Sequence, residues 1–309
     1  MPVHWPLERL VLSGVCGEVT KSPHILHGRI KHLILYFTME LRFEGPTSDE
    51  QLRMNQEAIA CGEAKMQYLS CPSDIQLINM SQQGKEWMAE KNNALCLTEN
   101  SPREPETQPI ASEESRLRTL EIIENDALDA FLRMSAALPH LVATVTSLTF
   151  RSTSLGQDFG WFPECLFPKI LAQLVALETL NLSVGAVFKE PSTLSGLYAN
   201  FPPNLTNLHF RGPVLLCQSD RWKEWVNAFS NKPFLPRLER LAFVLDLYYM
   251  PDEYGHLELQ TPPEEDLKEA RTACEQLYEA AHRRGLTMET LRDDWAGKNV
   301  LLRPVDDRW

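Results

Sequence analysis

The sequence lacks the features that would place it in a membrane or on nucleic acid. None of its apolar runs approaches the length of a membrane span, and the N-terminal stretch carries Glu8 and Arg9 among its apolar residues, unlike a signal peptide. The chain has 30 Lys and Arg residues and 42 Asp and Glu residues, which gives a net charge of −12. Proteins that bind the phosphates of nucleic acids usually have an excess of Lys and Arg instead. We therefore predict a cytoplasmic or nuclear protein with no membrane and no nucleic-acid partner.

Metal-binding and disulfide patterns are also scarce. The chain has seven cysteines, an odd number, and no two of them have the close spacing of a zinc site. We expect them to be reduced. His24 and His27 have the spacing of a possible metal-binding pair, but they fall in an apparent loop without a third ligand nearby. The sequence therefore predicts no metal and no cofactor.

Motifs that carry catalysis are missing as well. There is no Gly-x-Ser-x-Gly elbow, no phosphate-binding loop and no His-Glu-x-x-His pair. The carboxylate pair Asp293 and Asp294 is adjacent in sequence rather than facing, which does not suit acid–base work. We predict no catalytic residue and no enzymatic activity.

What the sequence does contain is a recurring triplet in which an apolar residue is followed three and five residues later by two more. Start-to-start distances from Leu117 to Leu238 are 28, 32, 28 and 33 residues, and such near-constant periods are typical of stacked repeats. The last two apolar positions alternate, as expected for a strand with one buried face. The triplets are Leu7-Leu10-Leu12, Ile30-Leu33-Leu35, Leu117-Leu120-Ile122, Val145-Leu148-Phe150, Leu177-Leu180-Leu182, Leu205-Leu208-Phe210 and Leu238-Leu241-Phe243.

The segments between triplets have helical periodicity. Apolar stripes predict helices over 126–138, 163–174 and 220–229, with Pro168 shortening or kinking the second. Strands that alternate with crossover helices form parallel sheets. We therefore predict the α/β class, as an irregular leucine-rich-repeat-like solenoid with a parallel curved sheet and outer helices.

Four regions divide the chain. Residues 1–38 are predicted to be N-terminal repeats, and 39–114 a polar insertion of helices and a disordered Pro/Glu/Ser/Thr-rich stretch. Residues 115–260 form the main solenoid, and 261–309 a capping helix and tail. That helix is predicted to start with a capping box, Thr261 to Glu264, and to end at Gly285. Because the first strand starts at Leu7, either the N-terminus is truncated or it packs against another segment such as the insertion.

Two resemblances follow from these residues. The triplet is similar to the leucine-rich-repeat motif, although the Asn that follows it in that motif is present only once in seven, as Asn125. More narrowly, the second half resembles the C-terminal region of fungal F-box/leucine-rich-repeat-like proteins, in PPNLTNLHFRGP (202–213), LPRLERLAFVL (235–245), AAHRRGLTMETLRDDW (280–295) and the terminal VDDRW. The resemblance implies the substrate-binding half of a ubiquitin-ligase receptor. We find no F-box, so contact with the ligase adaptor is expected only if an F-box is supplied elsewhere.

A protein partner is expected on the concave face, to which the residues between the buried apolar positions point. Aromatic and Arg side chains dominate binding hot spots, which favours His32, Tyr36, Arg151, His209 and Arg211, and we add Glu121 and Asn181. The wider face is predicted to include Arg9, Val11, Ile34, Thr119, Thr149, Thr179, Asn207, Arg240 and Ala242. The alternative is an enzyme or small-molecule-binding protein on an irregular α/β scaffold, its site assembled from distant residues in a closed apolar pocket.

Overall fold

The computed structural model describes residues 7–15, 25, 29–39, 115–124, 127–152, 163–185, 187, 188, 190–251, 253 and 257–289. All structural statements below concern these residues. The predicted insertion (apart from Met39), the possible metal pair His24 and His27, and the tail after Glu289 lie outside them.

Nine described strands join one sheet. Their bounds are β1 Arg9–Val15, β2 His32–Met39, β3 Thr119–Glu124, β4 Ser147–Ser152, β5 Thr179–Val184, β6 Asn207–Pro213, β7 Arg240–Pro251, β8 Leu257–Gln260 and β9 Thr287–Met288. From β1 to β7 each strand pairs in parallel with the next one along the chain. The predicted α/β class with a mainly parallel sheet is confirmed.

The predicted apolar triplets align across this sheet. Leu180 pairs in register with Leu148 on one side and Leu208 on the other, and the row continues through every strand from Leu10 to Leu241. A second row, two residues further on, runs from Leu12 through Phe150 to Phe243 in the same way. From β2 onward every member of both rows is at most 1% exposed. Because side chains alternate along a strand, both rows lie on one face of the sheet, the core face.

The same hydrogen bonds recur where each strand begins. The N–H groups of Glu178 and Thr179 both donate to the carbonyl oxygen of Thr146, at 2.9 and 3.0 Å, and equivalent pairs of bonds precede β2, β3, β4, β6 and β7. The first residue of the last four triplets also closes a turn, since for example Leu177 N–H donates to the carbonyl of Leu174 and Leu238 N–H to that of Leu235. Each unit therefore meets the next with the same backbone geometry.

Helices pack against the core face. They are α1 Ala127–Ala137, α2 Pro139–Val142, α3 Leu166–Leu171, α4 Pro191–Ser195, α5 Trp222–Ser230 and α6 Glu264–Arg284, with short 3-10 turns at Leu197–Asn200 and Val214–Leu216. The ring centroid of Phe150 lies 5.0 Å from Phe131 of α1 and 5.4 Å from Phe167 of α3. Trp225 of α5 is fully buried and donates its indole N–H to the Ser195 carbonyl. The aromatic stripe of α5 is thus part of the core, as predicted.

The helix predictions hold with two differences. Helix α3 has only six residues, and Pro168 lies in its first turn, where an amide hydrogen has no intrahelical partner to lose. The capping box predicted at Thr261 is wrong: Pro263 occupies the N-cap, and no side chain caps the helix. Helical backbone is disfavoured for a residue that precedes proline, which opposes a helical start at Pro262, and α6 starts at Glu264. Gly285 ends α6 as predicted, with a φ of 96°.

The C-terminal end of the sheet has a feature that the triplets do not predict. Strand β7 runs for 12 residues, and its last part pairs antiparallel with β8 from Tyr248 to Pro251. Its first part pairs in parallel with β9, which joins Arg240 to Thr287 and Leu241 to Met288. The outer edge of β7 is therefore covered by two different strands at its two ends.

The described cysteines are of two kinds. Cys217 and Cys274 are free thiols. Cys165 takes part in a disulfide bond, so the expectation that all seven cysteines are reduced is wrong for this residue. Among the residues that the structure describes, no helix has both the length and the apolar character to cross a membrane.

Candidate interaction surface

The face of the sheet opposite the core rows carries all seven residues predicted to bind a partner, and we call it the second face. Its side chains also lie in rows across the strands. One row contains Glu121, Asn181 and His209, and another contains Tyr36, Arg151 and Arg211. His32 belongs to a third row, at the start of the strands, which ends at Arg240 and Thr287. Strand register alone therefore brings residues distant in sequence onto one surface.

Between β2 and β4 this face is largely buried. Ile34 is 3% exposed and Ile123 is fully buried, although both belong to the second face. His32 Nε2 lies 2.8 Å from Glu121 Oε1, and both of these side chains are mostly buried. A partner therefore has little access to this half. His32 and Glu121 are placed together as a hydrogen-bonded pair that holds β2 against β3.

The middle of the second face is built from uncharged polar side chains. Asn181 Nδ2 donates to Thr149 Oγ1 at 3.0 Å, and Asn207 Nδ2 donates to Thr179 Oγ1 at the same distance. Each bond joins neighbouring strands directly across the sheet. Cross-strand pairs of this kind stabilise a sheet and leave a polar surface that is only half-buried.

An accessible part of the second face lies at β6, β7 and β9. Glu289, just after β9, accepts from two residues: its Oε2 lies 2.9 Å from His209 Nε2, and its Oε1 accepts from Arg240 Nη1 at 3.4 Å. Arg240 Nε also donates to Asn207 Oδ1. The side chains of Arg240, His209 and Glu289 are 52%, 35% and 30% exposed. We call these four residues the β6–β9 cluster.

Arg211 lies on the second face but is buried. Its side chain is 3% exposed, and its Nε and Nη2 donate to the two carboxylate oxygens of Asp246 at 2.7 and 3.0 Å. The sheet register between β6 and β7 shifts beside this pair, between Gly212 and Pro213. Arg211 therefore anchors the distorted part of β7. Tyr36 and Arg151 lie on either side of Ile123 and are both half-buried.

Sequence reasoning missed Glu289 and Asp246. Glu289 follows a two-residue strand whose pairing depends on the position of α6, and no local pattern signals it. Asp246 lies two residues beyond Val244, the register partner of Arg211, so it follows the alternation of β7. If β7 is extended past Leu245, the alternation of its side chains places Asp246 on the same face as Arg211. This was the available sequence signal for the ion pair.

The described residues hold no group of three or more His, Cys, Asp or Glu side chains that could bind a metal ion. Burial raises the pKa of Cys274 to about 12 and that of Cys217 to about 11, which keeps both thiols protonated and poorly nucleophilic at neutral pH. Neither thiol is therefore suited to nucleophilic chemistry as placed.

Comparisons with family models, curated proteins and solved structures found no match for this chain.

Proposed function

We propose that this chain is a non-catalytic protein-binding protein whose units stack as an irregular leucine-rich-repeat-like solenoid. The observation that carries the proposal is the order of the sheet, in which strands β1 to β7 pair in parallel with their neighbours in the chain. Stacked units in which each contacts its neighbours are the defining property of solenoids, and these proteins use the extended surface of the stack to bind macromolecules.

The recurring backbone bonds support the same proposal. A carbonyl that accepts from two consecutive N–H groups of the next unit, as Glu178 does from Thr206 and Asn207, appears at six successive strand starts in the described chain. Unrelated crossovers would have no reason to share this geometry. Spacings of 28 to 33 residues between the triplets from Leu117 to Leu238 are near those of known repeat families.

The β6–β9 cluster, together with Asn181, is the part of the second face that best suits a partner. It is accessible and combines a guanidinium, an imidazole, a carboxylate and amides within a continuous surface. Arg side chains are enriched at binding hot spots, and polar groups around them fix the register of the partner. Arg211 is buried and paired with Asp246, so we expect it to stabilise the strands next to this surface and not to contact the partner.

The partner that we propose is another protein. The resemblance to F-box/leucine-rich-repeat-like proteins leads us to propose further that the bound protein is a target of ubiquitination. Ubiquitin attached to the proteins recovered with the wild-type chain would support this second step, and recovered partners that carry no ubiquitin when the proteasome is inhibited would contradict it. The first step, binding through the β6–β9 cluster, is independent of that result.

The experiment is affinity capture of crosslinked partners with quantitative mass spectrometry. The variant His209→Ala/Arg240→Ala alters the cluster without touching the core rows. The control Lys223→Ala/Lys232→Ala removes two exposed cations on the helical side. We expect the cluster variant to lose partners that the control retains. Identical partner sets for wild type and both variants would refute the proposed surface.

A further inference from the structure

An acidic side chain of the chain itself fills the centre of the β6–β9 cluster. The two carboxylate oxygens of Glu289 are divided between donors from different strands: Oε2 lies 2.9 Å from His209 Nε2 on β6, and Oε1 lies 3.4 Å from Arg240 Nη1 on β7. Two side chains that are distant in sequence thus converge on one carboxylate. Glu289 shows which chemical group this part of the second face is built to bind.

The side-chain contacts that hold Glu289 in this place are exposed. The side chains of Arg240, His209 and Glu289 are 52%, 35% and 30% exposed, and the bond from Arg240 is longer than a typical N–H···O bond. Exposed ion pairs contribute little free energy, because water screens them and because pairing restricts two long side chains. Replacement of the Glu289 carboxylate by one from another molecule therefore costs little.

The backbone around Glu289 does not depend on its side chain. Strand β9 consists of Thr287 and Met288 alone, and it pairs with Arg240 and Leu241 of β7. The N–H of Glu289 adds one bond, to the Leu241 carbonyl at 2.9 Å. All of these are backbone contacts. The carboxylate of Glu289 therefore leaves His209 and Arg240 without the loss of any strand pairing.

The pair formed by His32 and Glu121 on the same face provides a contrast. His32 Nε2 lies 2.8 Å from Glu121 Oε1, but these side chains are only 27% and 18% exposed. Glu121 lies within β3, which is paired on both sides by β2 and β4. Glu289, in comparison, lies just past a two-residue strand. Of these two pairs, the one at β6–β9 is the more accessible and the less constrained by the sheet.

We propose that Glu289 occupies the place of an acidic side chain of the partner protein, and that this partner carboxylate displaces it from His209 and Arg240. The inference rests on the proposed function and adds the chemistry of the contact, an Asp or Glu side chain. It also gives Glu289 a regulatory role, because its carboxylate competes with that of the partner. The apparent affinity for the partner is reduced in proportion to the fraction of molecules in which the two donors are free.

The first test needs no partner. The probe is N-acetylglutamate α-amide, which carries one side-chain carboxylate, and N-acetylglutamine α-amide is its uncharged counterpart. Each is titrated into the full-length protein at low ionic strength, and the backbone amide shifts of His209 and Arg240 are followed. We expect the glutamate compound alone to bind, with a midpoint concentration about 1.5- to 5-fold lower in Glu289→Gln than in the wild type. Glu239→Gln removes an exposed carboxylate just before β7 and should leave the midpoint unchanged.

The second test returns to the crosslinked partners. We expect Glu289→Gln to raise the recovery of the partners that depend on the cluster by about 1.5- to 5-fold, whereas His209→Ala/Arg240→Ala lowers it. The opposite signs separate a competing carboxylate from one that only supports the surface, because loss of a supporting residue lowers recovery as well.

The two tests have separate outcomes. Equal binding of the glutamine compound, an unchanged or higher midpoint in Glu289→Gln, or an equal decrease in Glu239→Gln would overturn the inference. If His209→Ala/Arg240→Ala loses partners and Glu289→Gln does not gain them, the inference fails and the proposed surface stands. If His209→Ala/Arg240→Ala retains every partner, the proposed surface itself fails.

Discussion

Leu180 of β5 and Leu208 of β6 are register partners on neighbouring parallel strands, and neither exposes any surface to solvent. The residues between them in the chain form the connection from one strand to the next, which includes α4 and a 3-10 turn. The contact between these two leucines is therefore the step by which one unit is joined to its neighbour. The loss of unfolding free energy when this contact is removed measures how strongly neighbouring units depend on each other.

Truncation of Leu180 tests this dependence. Leu180→Ala deletes a fully buried side chain in the middle of a core row, where the surrounding strands cannot collapse into the space. We expect the free energy of unfolding to fall by about 2–5 kcal/mol in chemical denaturation. Leu215→Ala serves as the control, because Leu215 is 61% exposed and its loss should cost less than about 0.5 kcal/mol. Equal effects of the two changes would contradict the burial of the row.

The ion pair of Arg211 and Asp246 is expected to behave as a coupled unit. Asp246→Ala leaves a guanidinium that is 3% exposed without this carboxylate, which should destabilise the fold by on the order of 3 kcal/mol. The double change Arg211→Met/Asp246→Ala removes both charges and should cost less than the sum of the single changes. A double-mutant cycle measures the difference, which we expect to exceed about 1 kcal/mol. Strictly additive single changes would show that the pair is not coupled.

Stability at alkaline pH should depend on Cys274. Burial raises the pKa of this thiol from its usual 9.0 to about 12, so the folded chain holds the proton more tightly than the unfolded chain does. The resulting stabilisation is present below about pH 9 and is lost as the pH rises toward 12. We expect the free energy of unfolding to fall between about pH 8 and pH 10.5, and to fall less steeply in Cys274→Ala.

Cys217→Ala provides a second test, because burial also raises the pKa of Cys217, to about 11. The fall of stability with pH should therefore be less steep in Cys217→Ala as well. Parallel pH profiles for the wild type and Cys274→Ala would show that this thiol titrates alike in the folded and unfolded chains.

The core rows were predictable from the sequence because they depend on local regularity. An apolar residue at every second position fixes which face of a strand is buried, and the near-constant distance from Leu148 to Leu180 and Leu208 fixes which strands match. The approximate extents of helices α1 and α5, and the C-terminal end of α6 at Gly285, followed from local patterns for the same reason. These features require no knowledge of distant contacts.

The features that were not predicted depend on residues far apart in the chain. The pairing of β9 with β7 joins Arg240 to Thr287, across the length of α6, and it brings Glu289 beside His209. The failed capping box has a local cause, since two adjacent prolines move the start of α6 to Glu264.

Engineered disulfides measure the strand order most directly. Thr179 and Asn207 are register partners on adjacent strands, close enough for a disulfide once both are cysteine. Ser147 and Asn207 lie two strands apart, with β5 between them, which exceeds the reach of a disulfide. Under mild oxidation, peptide mapping should find the bond in Thr179→Cys/Asn207→Cys and not in Ser147→Cys/Asn207→Cys. The opposite outcome would place β4 beside β6 and contradict the stacking of strands in chain order.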